Sequence, residues 1–210
     1  MILLENVFVN LSRRAILKDV SAQFDDGHIH GIIGNNGSGK SVMFKTICGF
    51  IRPAHGRVIL DGVDYTALHK FPPRIGLLIE SPGMLPECSA YENLMRLASI
   101  RGLITRKEVC NAISTVGLDP GDKRTVSKYS LGMKQRLGIA QAIMENPDIL
   151  LLDEPMNGLD NAGVREMREL FKSLRAQGKT ILLASHNPLD IEELCDTVCE
   201  MDGGVLSRVR

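Results

Sequence analysis

A glycine-rich segment carries the residues with the clearest chemical meaning in this sequence. Its residues, which read G-x-x-x-x-G-K-S, are Gly34, Asn35, Asn36, Gly37, Ser38, Gly39, Lys40 and Ser41. The segment lies between an apolar run at 29–33 and a helical pattern, where successive backbone N–H groups can surround phosphate oxygens at the positive end of a helix dipole. Lys40 adds a cation for the β- and γ-phosphates, and the Ser41 hydroxyl suits a Mg²⁺ ligand. The segment therefore predicts a site for a nucleoside triphosphate.

Two further groups of polar residues follow predicted buried strands. Asp153 and Glu154 come directly after an apolar run, and His186 follows the run at 180–184 by one residue. Such positions meet at the carboxyl edge of a parallel sheet. An aspartate there can hold Mg²⁺ through a water, a glutamate can polarise the attacking water, and a neutral imidazole can contact the γ-phosphate. The alternatives are a ligand-free turn, exposed acids and a structural histidine, but three motifs in order favour catalysis.

The elements that must position these residues follow from apolar periodicity and turn signals. Strands are predicted at 2–9, 15–24, 29–33, 57–60, 75–79, 148–154 and 180–184. Helical spacing places Met43, Ile47 and Phe50 on one face of the helix after the glycine-rich segment. Helical patterns also fill most of residues 90–145, and another helix is predicted at 161–177 with Val164, Met167, Phe171 and Leu174 facing inward.

These elements predict an α/β fold, in which a P-loop NTPase core carries an N-terminal antiparallel β subdomain and an inserted helical subdomain. We expect a single domain at 1–210, with the core at 1–83 and 147–210 and the helical subdomain at about 84–146. In the last helix of that subdomain, Met133, Leu137, Ala140 and Met144 share one face.

Composition narrows the class of protein. Lysine and arginine together number 25, as do aspartate and glutamate, and the resulting net charge of zero argues against a general nucleic-acid binder. No run approaches the roughly 18 apolar residues of a membrane helix, and the N-terminus lacks the features of a signal peptide. The five cysteines have no disulfide-framework spacing and are expected to be reduced thiols. We therefore expect a cytoplasmic protein.

The motifs, in this order, resemble those of the ATP-binding subunits of ABC transporters, and the resemblance covers essentially the whole chain. The segment 157–160 resembles the family's D-loop, with Asp160 as its acid, and His186 resembles the switch histidine. Residues 129–136, which read Y-S-L-G-M-K-Q-R, resemble the signature L-S-G-G-Q-x-Q-R. The signature residues are Ser130, Leu131, Gly132 and Met133. They begin a predicted helix, whose N-terminal end can bind anionic oxygens.

The resemblance implies how the chain assembles. In the family, the signature faces the γ-phosphate held by the opposite subunit, so that two chains enclose two ATP molecules head to tail. A homodimer, or a heterodimer with a second ATPase subunit, is therefore expected. ATP and Mg²⁺ are the implied cofactors, with Ser41 and Asp153 at the metal.

Several positions depart from the family pattern. Glu80 stands where the family has a glutamine that senses Mg²⁺ and faces the membrane partner; a carboxylate can still bind the metal, but it adds negative charge beside the triphosphate. Val42 replaces a common hydroxyl residue in the nucleotide site and keeps its backbone N–H. Leu11 stands at the position of the aromatic that stacks on adenine, so base contact would be apolar there or come from Phe8.

Glu80 together with the signature resembles one branch, the ATPases of bacitracin-resistance and lantibiotic-immunity transporters, which export antimicrobial peptides. The resemblance implies an ATP-hydrolysing subunit, peripheral on the cytoplasmic face of the cell membrane, that powers a separate transmembrane permease. No nucleic acid is expected as a partner. The alternative is a soluble ABC-type ATPase acting on ribosomes or DNA, which would usually have tandem modules or coiled-coil insertions. A nucleotide kinase does not fit the signature and His186.

Overall fold

A computed structural model describes residues 1–68, 70–80 and 83–210 of the chain. The strands are β1 (Ile2–Leu11), β2 (Arg14–Phe24), β3 (Ile29–Ile33), β4 (His55–Leu60), β5 (Val63–Asp64), β6 (Ile75–Leu78), β7 (Ile149–Asp153), β8 (Thr180–Ala184), β9 (Thr197–Asp202) and β10 (Val205–Arg208). The helices are α1 (Lys40–Ile47), α2 (Tyr65–Leu68), α3 (Ala90–Arg101), α4 (Arg106–Thr115), α5 (Leu131–Ile143), α6 (Asn161–Ala176) and α7 (Pro188–Leu194), with a 3₁₀ turn at Val126–Lys128.

The described residues form two sheets. A four-stranded antiparallel sheet has the order β2-β1-β4-β5, and a six-stranded sheet has the order β10-β9-β3-β8-β7-β6. In the second sheet the strands β9, β3, β8, β7 and β6 are parallel, and only β10 pairs antiparallel. The carboxyl ends of β3, β6, β7 and β8 therefore meet at one edge. This architecture confirms the predicted fold class.

The central strands β3, β7 and β8 are mostly apolar, and both faces of the sheet around them are covered. Along β7, Leu150 and Leu152 pack into the core on the side of α3 to α6, whereas Leu151 packs into the core on the side of β1, β2 and α1. All three leucines are at most 1% exposed. A strand buried on both faces reads as a continuous apolar run, which is why the sequence revealed these strands clearly.

Helices α3, α4 and α5 lie between β6 and β7 along the chain, as the sequence predicts. The helices α3 and α4 each begin with a capping box, formed by Ser89 with Glu92 and by Thr105 with Glu108. Helix α5 buries Leu137 among other residues. Within the described ranges, no helix has both the length and the apolar character that crossing a bilayer requires.

The prediction for the helix after the glycine-rich segment is wrong at its end. Helix α1 stops at Ile47, and Phe50 is 60% exposed instead of lying on the buried face with Met43. The cause is Gly49, whose φ of +82° places it in the left-handed region that ends helices. The Phe50 ring instead lies edge-on to the Phe71 ring, with 5.6 Å between centroids.

Candidate active site

A cavity of about 670 Å³ opens at the carboxyl edge of the parallel strands. One side is formed by the glycine-rich segment and the start of α1, including Lys40 and Ser41, and the other by Glu80, Asp153 and Glu154. Asn36, Gly37, Gly39 and Val42 also line it. Ligand sites for molecules of nucleotide size typically enclose about 300–1,000 Å³. The fold thus brings most of the predicted nucleotide and metal residues around one cavity.

The glycine-rich segment owes its shape to backbone conformations that other residues rarely adopt. Gly34 has φ +143° and Gly39, at the start of α1, has φ +118°. A Cβ on Gly34 would lie only 2.2 Å from the carbonyl oxygen of Met201 in β9. The Ser38 hydroxyl is buried and has no hydrogen-bond partner among the described residues. The loop therefore owes its shape to glycine conformations and to its close packing against β9.

The turn between β9 and β10 fixes the loop from behind. The N–H of Gly204 donates to the carbonyl oxygen of Ser38 at 3.0 Å, and the N–H of Lys18 in β2 donates to the carbonyl oxygen of Gly204 at 2.8 Å. A Cβ on Gly204 would lie 2.2 Å from the carbonyl oxygen of Ile16. One glycine therefore joins the phosphate loop, the parallel sheet and the antiparallel sheet.

The Lys40 side chain is folded onto the same loop. Its Nζ donates to the carbonyl oxygens of Gly34 at 2.6 Å and Asn35 at 3.1 Å, and the residue is 6% exposed. These carbonyl contacts hold the ammonium group inside the curve of the loop. The cation is therefore held where the N–H groups of the loop would meet phosphate oxygens.

Ser41 and Asp153 meet across the cavity. The Ser41 hydroxyl donates to Oδ2 of Asp153. Burial raises the pKa of the Asp153 carboxyl, and the negative charges of Glu154 and Glu80 raise it further, against the lowering effects of the Ser41 hydrogen bond and Lys40. The raised pKa means that the negative charge of Asp153 is unfavourable without a bound cation. A divalent cation bound to this carboxylate and to the Ser41 hydroxyl would stabilise that charge, and both groups are oxygen ligands. The donor set therefore fits Mg²⁺.

Glu154 lies at the first position after β7 and has a strained backbone, with φ +50°. Its N–H donates to the carbonyl oxygen of Ala184 at 2.9 Å, which joins the ends of β7 and β8. Its Oε2 lies 2.9 Å from Nδ1 of His186, whose side chain is 66% exposed. The two residues that the sequence singles out as candidate base and phosphate sensor are thus in contact.

Gln135 was not predicted as a site residue, although it lies within the quoted signature. Its Nε2 donates to the carbonyl oxygen of Glu154 at 3.0 Å, and the side chain lines the cavity. The sequence offered one signal for this role: Gln135 lies four residues after Leu131, the first residue of α5. Residues four apart lie on the same face of a helix, so Gln135 shares a face with the start of α5. Through Gln135, the helical segment contacts the backbone of the candidate base.

Leu11 lies away from this cavity, at the end of β1. It pairs with Arg14 across the β1–β2 turn and is 39% exposed, whereas Ile16 in β2 lines the cavity. The burial along β2 does not alternate, because Leu17, Val20 and Phe24 are the buried residues, so periodicity did not indicate Ile16. Contact between Leu11 and adenine stays a prediction, and Ile16 supplies apolar surface nearer the phosphate loop.

The signature residues begin α5 as predicted. Ser130 is its N-cap, with the hydroxyl accepting from the N–H of Met133 at 3.2 Å, and Leu131 is 68% exposed. A Cβ on Gly158 would lie 2.6 Å from the Leu131 side chain, and one on Gly132 would lie 2.9 Å from the Gly158 carbonyl oxygen. In the described part of the chain, the four signature residues do not line the cavity. They pack beside the segment 157–160 instead.

Two predicted acids have local partners. Asp160 caps α6, with Oδ1 accepting from the N–H of Gly163 at 2.8 Å. Glu80, just beyond β6, has φ +60° and a side chain that is 65% exposed. Its Oε1 lies 2.6 Å from Nζ of Lys45 on α1. Lys45 was not predicted, and it neutralises the charge that Glu80 adds beside the cavity.

The parallel sheet, the glycine-rich loop after β3 and the acids at the end of β7 define a P-loop nucleoside triphosphatase. The family model described as "ABC transporter" matches residues 17–157, and the chain belongs to this family of ATPases. The chain is 38% identical to the bacitracin transport ATP-binding protein BcrA of Enterococcus faecalis, over 96% of this chain and 66% of BcrA. It is 35% identical to the lantibiotic transport ATP-binding protein SrtF of Streptococcus pyogenes, over 94% of this chain and 85% of SrtF.

The fold also has solved counterparts. The dimeric structure of a post-hydrolysis state of the ATP-binding cassette MJ0796, bound to ADP and Pi, superposes with a TM-score of 0.88. The match covers 100% of this chain and 99% of that one, at 24% identity. The family membership confirms the resemblance seen in the sequence.

Proposed function

We propose that this chain is the ATP-hydrolysing subunit of a transporter that exports antimicrobial peptides or related compounds through a separate transmembrane permease. The observation that carries the proposal is the convergence around one cavity of Lys40, the Ser41–Asp153 pair and Glu154 in contact with His186. A phosphate cradle, a metal donor pair and a candidate base together are the parts that phosphoryl transfer to water requires.

In this proposal the loop 34–41 and Val42 bind the β- and γ-phosphates through backbone N–H groups and the Lys40 ammonium. Ser41 and Asp153 hold Mg²⁺, and Glu80 is a further candidate ligand. When bound, Mg²⁺ would neutralise charge on the phosphate oxygens. The Lys40 contacts with loop carbonyls give way to phosphate oxygens, which are the stronger acceptors for an ammonium group.

Glu154 is the proposed general base, which takes a proton from the water that attacks the γ-phosphate. Its carboxylate is 20% exposed and adjoins the cavity, so it is accessible to water from that side. His186 contacts the same carboxylate and, in the proposal, also contacts the γ-phosphate. The Gln135 hydrogen bond to the Glu154 carbonyl then helps fix the backbone from which the base projects.

The site is completed by a second chain in this proposal. Ser130 to Met133 lie at the start of α5, outside the cavity of their own chain, where an incoming anion could meet the N–H groups of Leu131 and Gly132. Asp160 and its segment lie beside them. We therefore infer a homodimer or a heterodimer with a second ATPase subunit, docked peripherally on the cytoplasmic face of the membrane. Residues 1–210 would act as one domain, with the helical part at about 84–146.

The cargo class rests on relatives. BcrA and SrtF carry bacitracin and lantibiotic transport in their names, and this chain matches both over more than nine-tenths of its length. Co-purification with a membrane protein, and loss of protection against bacitracin or a lantibiotic in cells without this chain, would support the cargo class. Unchanged sensitivity to both compounds would contradict it and leave the ATPase assignment intact.

Glu154→Gln tests the catalytic assignment. The amide keeps the shape of the side chain but cannot accept the proton, so ATP should bind normally while single-turnover hydrolysis falls by about 100-fold or more. The variant should also accumulate as an ATP-bound dimer in size-exclusion chromatography with light scattering. Glu169→Gln is the matched control, because Glu169 is exposed on α6 and pairs only with Lys172 in the described residues. A wild-type rate of ATP hydrolysis in Glu154→Gln would contradict the assignment of Glu154 as the general base.

A further inference from the structure

An ion pair lies buried behind the loop that carries His186. Arg168 of α6 donates from Nε and Nη2 to Oδ1 of Asp190 in α7, at 3.0 and 2.6 Å. The two side chains are 8% and 2% exposed. Taking two charges out of water is expensive, and hydrophobic residues could fill the same space at similar stability. A buried pair of this kind therefore calls for a role in fixing a particular conformation.

The second oxygen of Asp190 leads to the histidine loop. Its Oδ2 accepts from the hydroxyl of Ser185 at 3.0 Å, and the same hydroxyl oxygen accepts from the N–H of Asn187 at 3.1 Å. Ser185 and Asn187 are the residues on either side of His186. The Ser185 hydroxyl therefore clamps the backbone on both sides of a residue whose own side chain is 66% exposed.

The front of the loop is held less strongly. The described polar contact of the imidazole is the one with Glu154, 2.9 Å away, and the His186 side chain is 66% exposed. An exposed side chain keeps most of its rotamer freedom, so packing does not fix its direction. The direction in which the imidazole points thus depends on the backbone at 185–187, and that backbone depends on the buried network.

We propose that Ser185, Asp190 and Arg168 are positioning residues, which set the place of the His186 imidazole beside Glu154 and thereby act on ATP hydrolysis without touching nucleotide. This inference rests on the proposed function, in which His186 takes part in hydrolysis. Groups that orient a functional imidazole from behind typically change activity by about tenfold or more when removed. The network also joins the histidine loop to α6, whose N-cap is Asp160.

Ser185→Ala is the informative variant, because it removes one hydroxyl and leaves the Arg168–Asp190 pair in place. We expect kcat to fall about tenfold while the KM for ATP changes less than twofold, since Ser185 is 2% exposed and does not line the cavity formed by Lys40, Ser41 and Asp153. In the His186→Ala background the same substitution should have no further effect, because Ser185 acts through His186. Arg175→Ala is the matched control: Arg175 pairs with Asp196 at the exposed end of α6, and its loss should leave kcat unchanged.

The outcomes separate this inference from the proposed function. Normal hydrolysis by His186→Ala would contradict the role of His186 in the proposed function. Impaired hydrolysis by His186→Ala with normal kcat in Ser185→Ala would overturn the positioning role alone, and so would fully additive losses in the double variant. Urea unfolding of each variant checks folding, and Ser185→Cys, which keeps the size of the side chain, is measured if Ser185→Ala does not fold.

Discussion

Two loops lie on either side of the candidate base Glu154 at the same edge of the sheet, and the side chains that they carry are held in different ways. The loop after β8 carries His186 and is tied from behind by the buried Arg168–Asp190 pair and Ser185. The loop after β6 carries Glu80, whose described polar partner is Lys45. In this ion pair the Lys45 side chain is 30% exposed and the Glu80 side chain is 65% exposed. Strands β8 and β6 both pair with β7, so Glu154 lies between a deeply anchored loop and Glu80, which is held by an exposed ion pair.

The difference indicates a division of labour at the site. A buried network with satisfied hydrogen bonds holds one geometry, whereas an exposed ion pair exchanges readily with water and ions. The loop that carries His186 is therefore suited to holding a side chain in one orientation for the reaction. The Glu80 side is suited to adjusting charge when a metal and a triphosphate enter, because Lys45 can release Glu80 at little free-energy cost.

The largest expected difference between the two loops is in how much each anchor contributes to the free energy of unfolding. Arg168→Ala leaves the Asp190 carboxylate buried without its cation, so the free energy of unfolding should fall by about 3–5 kcal/mol. The matched change on the other loop, Lys45→Ala, should cost less than about 1 kcal/mol. Urea denaturation followed by circular dichroism measures both. Equal losses in the two variants would break the contrast between a buried and an exposed anchor.

A smaller effect is expected on nucleotide affinity at the Glu80 side. Lys45→Gln leaves the Glu80 charge uncompensated beside the triphosphate, so affinity for Mg·ATP should fall by about two- to fivefold. The double variant Lys45→Gln, Glu80→Gln should recover the affinity, because both charges are gone. Calorimetric titration in the Glu154→Gln background measures binding without turnover. A double variant as weak as Lys45→Gln would mean that Lys45 acts by some means other than offsetting Glu80.

The smallest effect is expected for Glu80→Gln alone on stability. Because the pair is exposed, the free energy of unfolding should change by less than about 0.5 kcal/mol. The Mg²⁺ concentration needed for half-maximal ATP binding should shift, since a candidate oxygen ligand and a negative charge are lost. Chemical denaturation and a metal titration on one preparation give both numbers. A loss of stability above about 1 kcal/mol would make Glu80 a structural residue and weaken the proposed division of labour.

Elements buried on two faces were the easiest to predict. Strands such as β7 and β8 read as unbroken apolar runs, and their ends located Asp153, Glu154 and His186. The strand β9 and the edge strand β10 were not predicted, because polar residues interrupt their apolar ones. The prediction for Phe50 was wrong because the apolar spacing continues past Gly49, whereas the helical backbone ends before it.

Contacts between distant parts of the chain could not be derived from periodicity. Lys45 with Glu80, and Arg168 with Ser185 through Asp190, join residues on different elements whose relative placement depends on tertiary packing. The same holds for Ile16, which lines the cavity because the antiparallel sheet packs against the phosphate loop. Sequence motifs indicated the candidate reacting groups, and the side chains that hold these groups became visible only in the fold.

The turn at Gly203 and Gly204 has a practical consequence for protein engineering. Short surface turns between strands are usually permissive sites for inserting an epitope or a fluorescent reporter. Here Gly204 bonds to Ser38 of the phosphate loop, and the space beside it is filled by the Ile16 carbonyl. An insertion at this tip would therefore disable nucleotide binding. The turn at Gly102, where no described atom lies within 4 Å of an added Cβ, is the better attachment point for a reporter.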